Sequence, residues 1–177
     1  MSPLKIIGYQ PQHQLYFEAL NRHWITKYFE IEPGDEYVLK QPEKAIINTG
    51  GAILVALYED RVAGTVGLKK VDDTTFELTK MAVDEGFQRK GIAEMLSYSC
   101  FEKAKELGAS TVILYSNSKL KPAITLYEKL GFTFVPISEG GYKRSDVKMM
   151  INIEKAEQVA KTYYSTQMQI RNQPLIQ

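Results

Sequence analysis

The chain has almost no cysteine, almost no net charge and no long apolar run. Its one cysteine, Cys100, excludes an intramolecular disulfide. Its 22 basic and 21 acidic residues leave a net charge of +1, which does not support a nucleic-acid partner or an anionic membrane partner. No apolar run is long enough to span a membrane, and the first residues lack the basic start and apolar core of a signal peptide. We therefore expect a cytoplasmic protein with no nucleic-acid and no membrane partner.

The residue types that often carry chemistry are also sparse. The two histidines, His13 and His23, do not have the spacing of metal ligands, so no metal site is expected. Cys100 falls on the apolar face of a predicted helix, which favours core packing over a role as a nucleophile. With 177 residues, 44% hydrophobic and 24% charged, the chain is expected to form one packed domain.

The spacing of apolar residues predicts the element order β-α-α-β-β-β-α-β-α-β-β, followed by a C-terminal helix over about residues 154–170. The first helix follows Pro11 and is interrupted at residues 33–35. Pro42 opens a second short helix that runs to Ile47. A hairpin near the middle and later β-α-β crossovers predict an α+β fold with a mixed sheet, antiparallel first and parallel later.

Residues 77–93 predict a strand that ends in a turn and continues directly into a helix. The turn carries the pattern Q-x-x-G-x-A, from Gln88 to Ala93. In such a turn the backbone N–H groups converge on one point, and the N-terminus of the following helix favours an anion there. Gly91 allows a close approach of the ligand to the backbone. The pattern favours a pyrophosphate site, and an ordinary strand-to-helix turn with one glycine is the alternative.

Two commoner phosphate motifs do not fit this turn. Gly86 and Gly91 have the spacing of a P-loop, but Ile92 stands where a lysine is required. A dinucleotide fold needs G-x-G-x-x-G inside an early βαβ unit, and only Gly86 and Gly91 are available here, after earlier strands. The sequence therefore argues against a P-loop NTPase and against a dinucleotide-binding protein.

Three motifs together resemble the GNAT superfamily of acyl-CoA-dependent N-acyltransferases. They are a strand that ends in Met81-Ala82-Val83, the loop from Gln88 to Ala93, and the segment AITLYEKLGF, residues 123–132, which matches the pattern A-x-x-L-Y-x-K-x-G-F. The resemblance covers about residues 4–153. It implies a three-layer fold with a mainly antiparallel sheet of about seven strands flanked by helices. It also implies acetyl-CoA as the donor and a primary amine as the acceptor.

The resemblance implies a set of cofactor contacts. The pyrophosphate is expected on the backbone amides of the loop, and the pantetheine arm is expected to pair like an extra strand with the end of the preceding strand. Many members carry an asparagine where this chain has Leu120, and Asn117 is expected to take over that contact. Tyr127 is expected near the sulfur. The expected cofactor-binding residues are Met81, Ala82, Val83, Gln88, Arg89, Lys90, Gly91, Ile92, Ala93, Asn117 and Tyr127.

Two residues are the candidates for acid–base catalysis. Glu77 is expected to accept the proton of the amine, directly or through water, because a carboxylate among apolar neighbours has a raised pKa. Period-two alternation places it on one face with Thr79, Met81 and Val83. The alternative is an ion pair between Glu77 and Lys80 or a loop cation. Tyr127 is expected to protonate the leaving sulfur, and the alternative is a core aromatic.

The acceptor is expected to enter between the first helices and the loop before the last strand. Asp146 or Glu32 would suit a substrate cation, and Arg144 would suit a carboxylate and hence an amino-acid-like amine. A surface ion-pair cluster is the alternative for these three residues. The candidate substrate-binding residues are Trp24, Tyr28, Glu32, Tyr142, Arg144 and Asp146.

The sequence thus predicts an N-acetyltransferase that acts by direct attack in a ternary complex on a small-molecule or amino-acid-like amine. The alternatives are a non-catalytic acyl-CoA-binding sensor and an interaction module. Residues 1–153 are expected to form the acetyltransferase domain and residues 154–177 a helical extension. An isolated helix of that length is marginal in water, so it should pack on its own domain or across a homodimer interface, through Tyr163, Tyr164 and Met168.

Overall fold

The computed structural model describes residues 3–137 and 142–171, with side chains up to residue 167. The strands are β1 (Leu4–Gly8), β2 (Ala52–Tyr58), β3 (Arg61–Lys70), β4 (Thr75–Val83), β5 (Thr111–Ser116), β6 (Thr133–Val135) and β7 (Val147–Asn152). The helices are α1 (Gln14–Tyr28), α2 (Pro33–Lys40), α3 (Ile92–Glu106), α4 (Lys121–Lys129) and α5 (Ile153–Arg171). The predicted order of elements is confirmed.

The seven strands form one sheet in the order β1-β2-β3-β4-β5-β7-β6. Every neighbouring pair is antiparallel except β4 and β5. The predicted mixed, mainly antiparallel sheet is confirmed. The parallel pairing expected later in the chain is limited to β4 and β5, because β7 lies between β5 and β6 and pairs antiparallel with both.

The pairing of strand β4 is irregular on both sides, in a different way with β5 than with β3. Toward β5 the pairing covers only Thr75 to Glu77, so the second half of β4 has no partner on that edge among the described strands. Toward β3 the register shifts, since Thr79 pairs with Gly67 but Ala82 pairs with Thr65. Two residues of β4, Lys80 and Met81, therefore stand opposite one residue of β3, which is a β-bulge. The bulge and the open edge occur at the same place.

Helices cover both faces of the sheet, and each face has its own apolar core. On one face α3 packs through Leu96, Cys100 and Phe101, together with residues of α4 and α5. On the other face α1 and α2 pack through Phe17, Ile25 and Leu39. The sheet is the middle layer, so the open edge of β4 lies between two helical layers.

The first helix ends before residues 33–35, as predicted, but a second helix, α2, begins there, where the sequence predicts none. Pro33 occupies the first helical turn, where its missing N–H costs no hydrogen bond. Glu32 and Asp35 form a capping box in which each side chain accepts from the backbone of the other. The short helix expected from Pro42 is a single π-helical turn, Glu43–Ile47.

The C-terminal helix α5 packs on its own domain through α3. Ala156 and Ala160 are buried, and the ring of Tyr98 lies 4.6 Å from that of Tyr163 and 5.9 Å from that of Tyr164. Met168, also expected as a contact, lies outside the described side chains. The division at residue 153 stays a prediction, as does a homodimer. Among the described helices, none has the length and apolar character needed to cross a membrane.

Candidate active site

Three adjoining cavities follow the open edge of β4. The central cavity, about 390 Å³, lies where β4 and β5 separate. The strand-end cavity, about 690 Å³, runs beside Met81, Ala82 and Val83. The loop cavity, about 350 Å³, lies at the turn before α3. Gln88 lines all three, and Tyr127 lines the first two. A path therefore leads from the turn, along the strand edge, to the central cavity.

The turn before α3 has the features of an anion cradle. Gly91 adopts φ +74°, and α3 starts directly after it with no side chain capping its N-terminus. The first intrahelical bond runs from the Met95 N–H to the Gly91 carbonyl, so the preceding N–H groups have no helical acceptor. A Cβ added at Gly91 would meet only the Tyr163 hydroxyl, at 3.9 Å. The space above the turn is open enough for a ligand to reach the backbone.

The expected loop residues occupy these cavities with one exception. Arg89, Gly91, Ile92 and Ala93 line the loop cavity together with Gln88. Lys90 does not line any of the three cavities, and its ammonium lies 4.9 Å from the ring centre of Tyr58. Arg89 is therefore the loop cation nearest the path.

Tyr127 lies on α4, between the strand-end and central cavities. Its side chain is buried, with its ring 5.9 Å from that of Phe132, and burial raises the pKa of Tyr127 to about 12. The hydroxyl is therefore protonated at neutral pH. Within the described part of the chain it has no hydrogen-bond partner. It can donate its proton to a group that enters either cavity.

Glu77 is buried behind the central cavity and does not line it. Burial raises the pKa of Glu77, while the charges of Lys69 and Lys80 and a hydrogen bond from Thr79 oppose the rise. Thr79 does line the cavity. Thr79 therefore connects Glu77 with the lining of the cavity.

The prediction that Glu77 and Thr79 share a face with Met81 and Val83 is wrong. The Ser97 hydroxyl of α3 contacts the Met81 sulfur at 3.7 Å, and Val83 packs into the core beneath the same helix. Thr79 instead faces Gly67 and the core under α1 and α2. The bulge at Lys80 reverses the alternation, because it adds one residue to β4.

A buried ion cluster lies at one wall of the central cavity, which two of its members, Lys80 and Arg144, line. Asp35 is fully buried, and its carboxylate accepts from both terminal nitrogens of Arg144, at 2.6 and 2.9 Å, and from the Lys80 ammonium at 2.9 Å. The Lys80 ammonium also donates to the Tyr142 hydroxyl at 2.7 Å. Arg144 donates to Glu32 at 3.2 Å. The cluster joins α2, β4 and the turn before β7.

The cluster sets the protonation of Asp35. Burial alone would raise its pKa, but the hydrogen bonds from Arg144 and the charge of Lys80 outweigh burial and lower the pKa of Asp35 to about 2. Asp35 is thus ionised at every physiological pH.

Four of the expected substrate-binding residues, Trp24, Tyr28, Tyr142 and Arg144, line the central cavity. Glu32 and Asp146 do not. The Glu32 carboxylate accepts from the backbone N–H of Arg144. The Asp146 carboxylate accepts from the backbone N–H and the hydroxyl of Ser118, at 2.7 and 2.6 Å. Their roles in binding an acceptor stay predictions.

Sequence reasoning misses two residues of this wall, Lys80 and Asp35. It indicates Lys80 only as a partner of Glu77, and it places Asp35 in a break between helices. The spacing of Glu32, Pro33 and Asp35 is that of a helix start, and this signal could have shown that Asp35 lies on a helix. Nothing in the local sequence signals the bulge that turns Lys80 into the cavity.

Asn117, expected as a cofactor contact, and Cys100, expected in the core, differ in their access to the cavity. Asn117 lines it, and its side-chain nitrogen donates to the Arg144 carbonyl. Cys100 is fully buried in the core, and burial raises the pKa of its thiol to about 12. Cys100 is therefore not an accessible thiolate at neutral pH.

Comparison with known proteins places this geometry in a family. The model of the Acetyltransferase (GNAT) family matches residues 17–132. An uncharacterised N-acetyltransferase of Bacillus subtilis, YvbK, is 32% identical over 113 residues, which are 62% of this chain and 73% of that protein. The N-acetylaspartate synthetase of Xenopus tropicalis is 33% identical over 140 residues, 77% of this chain, and the match spans 48% of the synthetase.

Solved structures share the fold at lower identity. A GNAT acetyltransferase from Staphylococcus aureus superposes with a TM-score of 0.77 at 22% identity, over 85% of this chain and 99% of that chain. An acetyltransferase from Salmonella typhimurium, solved with acetyl-CoA, gives 0.70 at 17% identity, over 86% and 95% of the two chains. A spermidine N-acetyltransferase from Vibrio cholerae, in complex with CoA and spermine, gives 0.69 at 17% identity, over 88% and 98%. The chain belongs to the GNAT acetyltransferase family and is an acyl-CoA-dependent N-acetyltransferase that uses acetyl-CoA.

Proposed function

We propose that this enzyme transfers the acetyl group of acetyl-CoA to a small-molecule, amino-acid-like amine by direct attack within a ternary complex. The observation that carries the proposal is the separation of β4 from β5 after Glu77. It joins the turn before α3 to the central cavity, so a donor bound along β4 would meet an acceptor bound in that cavity.

The residues present fit acetyl-CoA. The open N–H groups before α3 suit its pyrophosphate, and the Arg89 guanidinium adds a positive charge beside them. The unpaired edge of Met81, Ala82 and Val83 suits the amides of its pantetheine arm, as in strand addition. Asn117, which also lines the central cavity, would complete the site. Acetyl-CoA, when bound, supplies the acetyl group as a thioester.

Tyr127 is the proposed general acid. Its hydroxyl lies where the strand-end cavity meets the central cavity, and it holds its proton at neutral pH. A proton held there can pass to the departing sulfur, which leaves more easily as a thiol. A backbone N–H at the end of β4 would stabilise the negative charge that develops on the carbonyl oxygen.

Glu77 is the proposed general base, acting through Thr79. An ammonium acceptor must lose a proton before its nitrogen can attack. Thr79 lines the cavity and its side chain acts on the pKa of Glu77, so its hydroxyl would take the amine proton while it passes its own to the carboxylate. The raised pKa of Glu77 makes it a stronger proton acceptor than an exposed carboxylate. Cys100 is too deeply buried to carry the acetyl group, which supports direct transfer.

The relatives name two acceptor chemistries. N-acetylaspartate is the product in the name of the Xenopus tropicalis synthetase, and spermine is bound to the Vibrio cholerae enzyme. Arg144 in the wall of the central cavity favours an acceptor of the first kind for this chain.

The test is calorimetric titration with acetyl-CoA, followed by an assay of thiol release with a panel of primary amines that contains amino acids, their amides and polyamines. We expect saturable acetyl-CoA binding and release of CoA that requires an amine. Acetyl-CoA binding without turnover on any amine would contradict the proposal and favour a sensor.

A further inference from the structure

We propose that Lys80 and Arg144 together bind a carboxylate on the acceptor, so that the enzyme selects amines that carry a carboxylate and rejects polyamines. This inference rests on the proposed acetyl transfer in the central cavity. It assigns Lys80 a role in specificity and gives Asp35 the role of positioning both cations.

The backbone of β4 is distorted at the residue that would bind the carboxylate. Lys80 has φ +50°, a left-handed backbone conformation that residues other than glycine rarely adopt. The strain accompanies the bulge that turns its side chain away from α3 and toward Asp35 on α2. Strained backbone of this kind collects at functional sites, where the surrounding structure holds it in place.

The charges of the wall are arranged in two layers. Among the described residues that line the central cavity, the charged ones are Lys80 and Arg144, and both are cations. The carboxylates of Asp35 and Glu32 lie behind them and do not line the cavity. The wall therefore presents positive charge to a ligand, although the four charges cancel as a group.

Asp35 has no capacity for further hydrogen bonds. One of its oxygens accepts from Lys80 and Arg144, and the other accepts from Arg144 and from the Glu32 backbone N–H. A carboxylate has about four acceptor positions, and these bonds fill them. Donors of Lys80 and Arg144 that are still free must therefore find another acceptor.

Such donors exist on both cations. An ammonium has three N–H groups, and Lys80 uses one for Asp35 and one for Tyr142. A guanidinium has five, and Arg144 uses three for Asp35 and Glu32. One N–H of Lys80 and two of Arg144 have no acceptor within residues 3–137 and 142–171. The Lys80 side chain is only 2% exposed, so water satisfies its remaining donor poorly.

A carboxylate in the cavity would supply the missing acceptors. It offers two oxygens to donors on neighbouring cations, and such charge-assisted bonds are stronger than neutral ones. A polyamine would instead bring positive charge against two fixed cations in a poorly solvated wall, where repulsion is weakly screened. The same wall therefore favours one acceptor class and disfavours the other.

The experiment compares each of a set of amino acids, among them L-aspartate and β-alanine, with its own carboxamide, and includes spermidine. For the wild-type enzyme we expect the best amino acid to exceed its amide in kcat/KM by ~10-fold or more, as charged hydrogen bonds typically contribute. In Lys80→Met this ratio should fall by ~10-fold, through KM for the acceptor and with little change in kcat. The acetyl-CoA affinity should stay unchanged.

Lys70→Met is the matched control, because Lys70 lies on the neighbouring strand β3, outside the central cavity. It should leave the ratio at its wild-type value. A wild-type enzyme that acetylates the amides or spermidine as well as the amino acids would overturn the inference and leave the proposed acetyl transfer intact. The inference is also overturned if Lys80→Met binds acetyl-CoA normally and keeps the wild-type ratio. A wild-type enzyme that acetylates no amine would overturn both.

Discussion

The proposed donor side and the proposed acceptor side of the site differ in whether backbone or side chains form them. The donor side is mostly backbone, namely the free edge of β4 and the open amides before α3, and these parts follow one another between residues 81 and 93. The acceptor side is made of side chains that meet from distant parts of the chain. Lys80 and Asp35 are 45 residues apart, and Arg144 and Asp35 are 109 apart.

The difference has a functional consequence. A site made of backbone tolerates changes of side chain, which suits a donor that is common to a whole family. A wall made of side chains changes its ligand with one substitution, which suits an acceptor that differs from one relative to the next. On the donor side we therefore expect only substitutions that disturb the backbone, such as those at Gly91, to weaken acetyl-CoA binding. Substitutions on the acceptor side should alter stability and acceptor choice.

The largest effect is expected for Asp35→Asn. The neutral amide would leave the two buried cations without their counter-charge, and breaking such a buried pair typically costs about 3–5 kcal/mol of unfolding free energy. Asp73→Asn is the control, since Asp73 pairs with Lys70 at a side-chain exposure of 98% and should contribute almost nothing. Denaturant unfolding of both variants checks this. If Asp35→Asn and Asp73→Asn are equally stable, the ion cluster around Asp35 does not stabilise the fold.

The same carboxylate predicts an acid dependence. The pKa of Asp35 is about 2 in the folded protein against an ordinary value of 3.8, so its charge stabilises the fold fully above about pH 4. That contribution is lost as the pH falls through about 2. The stability difference between wild type and Asp35→Asn should therefore shrink from pH 5 toward pH 2. A difference independent of pH in this window would contradict the depressed pKa.

Tyr127→Phe should lower kcat by ~10²-fold, a typical contribution of a general acid, and leave acetyl-CoA affinity nearly unchanged. Tyr115→Phe is the control, because Tyr115 lines the same central cavity on β5 and has no proposed proton to give. Steady-state rates with the best amine of the panel measure both. If the two variants have the same kcat, Tyr127 is not the acid.

Gly91→Val tests the donor side. Valine is strained at φ +74°, and its side chain would fill the space above the open amides, so acetyl-CoA affinity should fall by ~10-fold or more. Gly108→Val carries the same kind of strain, at φ +87°, at the far end of α3, where an added Cβ meets nothing within 4 Å. It should lower stability without weakening acetyl-CoA binding. Similar acetyl-CoA affinities for both variants would show that strain, and not the site, is responsible.

Glu77→Gln should change stability less than Asp35→Asn does, and with the opposite pH dependence. The folded pKa of Glu77 lies above its ordinary 4.5, so its ionisation destabilises the fold as the pH rises from 4.5 through the raised value. The unfolding free energy of wild type, relative to that of Glu77→Gln, should therefore fall as the pH rises through this range. The variant should also lose most activity between the pKa of Glu77 and the pKa of the amine, where Glu77 is ionised and the amine still carries its extra proton. If Glu77→Gln has the pH–rate profile of wild type, another group or water accepts the proton of the amine.

Much of the donor side could be predicted from the sequence because its information is local. The extent of β4, the turn and the start of α3 follow from alternation, glycine and helix periodicity within a few residues of each other. The strand that the sequence predicts before the turn is β4, and the helix that it predicts after the turn is α3.

The acceptor side could not be predicted in the same way. Its geometry depends on a bulge and on strand insertion, which are settled by pairing between distant segments. Period-two alternation assigns Met81 to the face of Glu77, and the bulge at Lys80 moves it to the other. Likewise, no periodic pattern in the sequence predicts that β7 lies between β5 and β6. The sequence indicates Arg144 as a carboxylate binder, but it does not indicate its partner Asp35.

The most direct test of donor and acceptor meeting in one cavity is a two-substrate initial-rate study with the best amine of the panel. Rates are measured over a grid of acetyl-CoA and amine concentrations. Direct attack in a ternary complex predicts double-reciprocal lines that intersect, and no acetylated protein by mass spectrometry when acetyl-CoA is supplied alone. Parallel lines together with an acetyl group on the protein would show a covalent intermediate and contradict direct transfer.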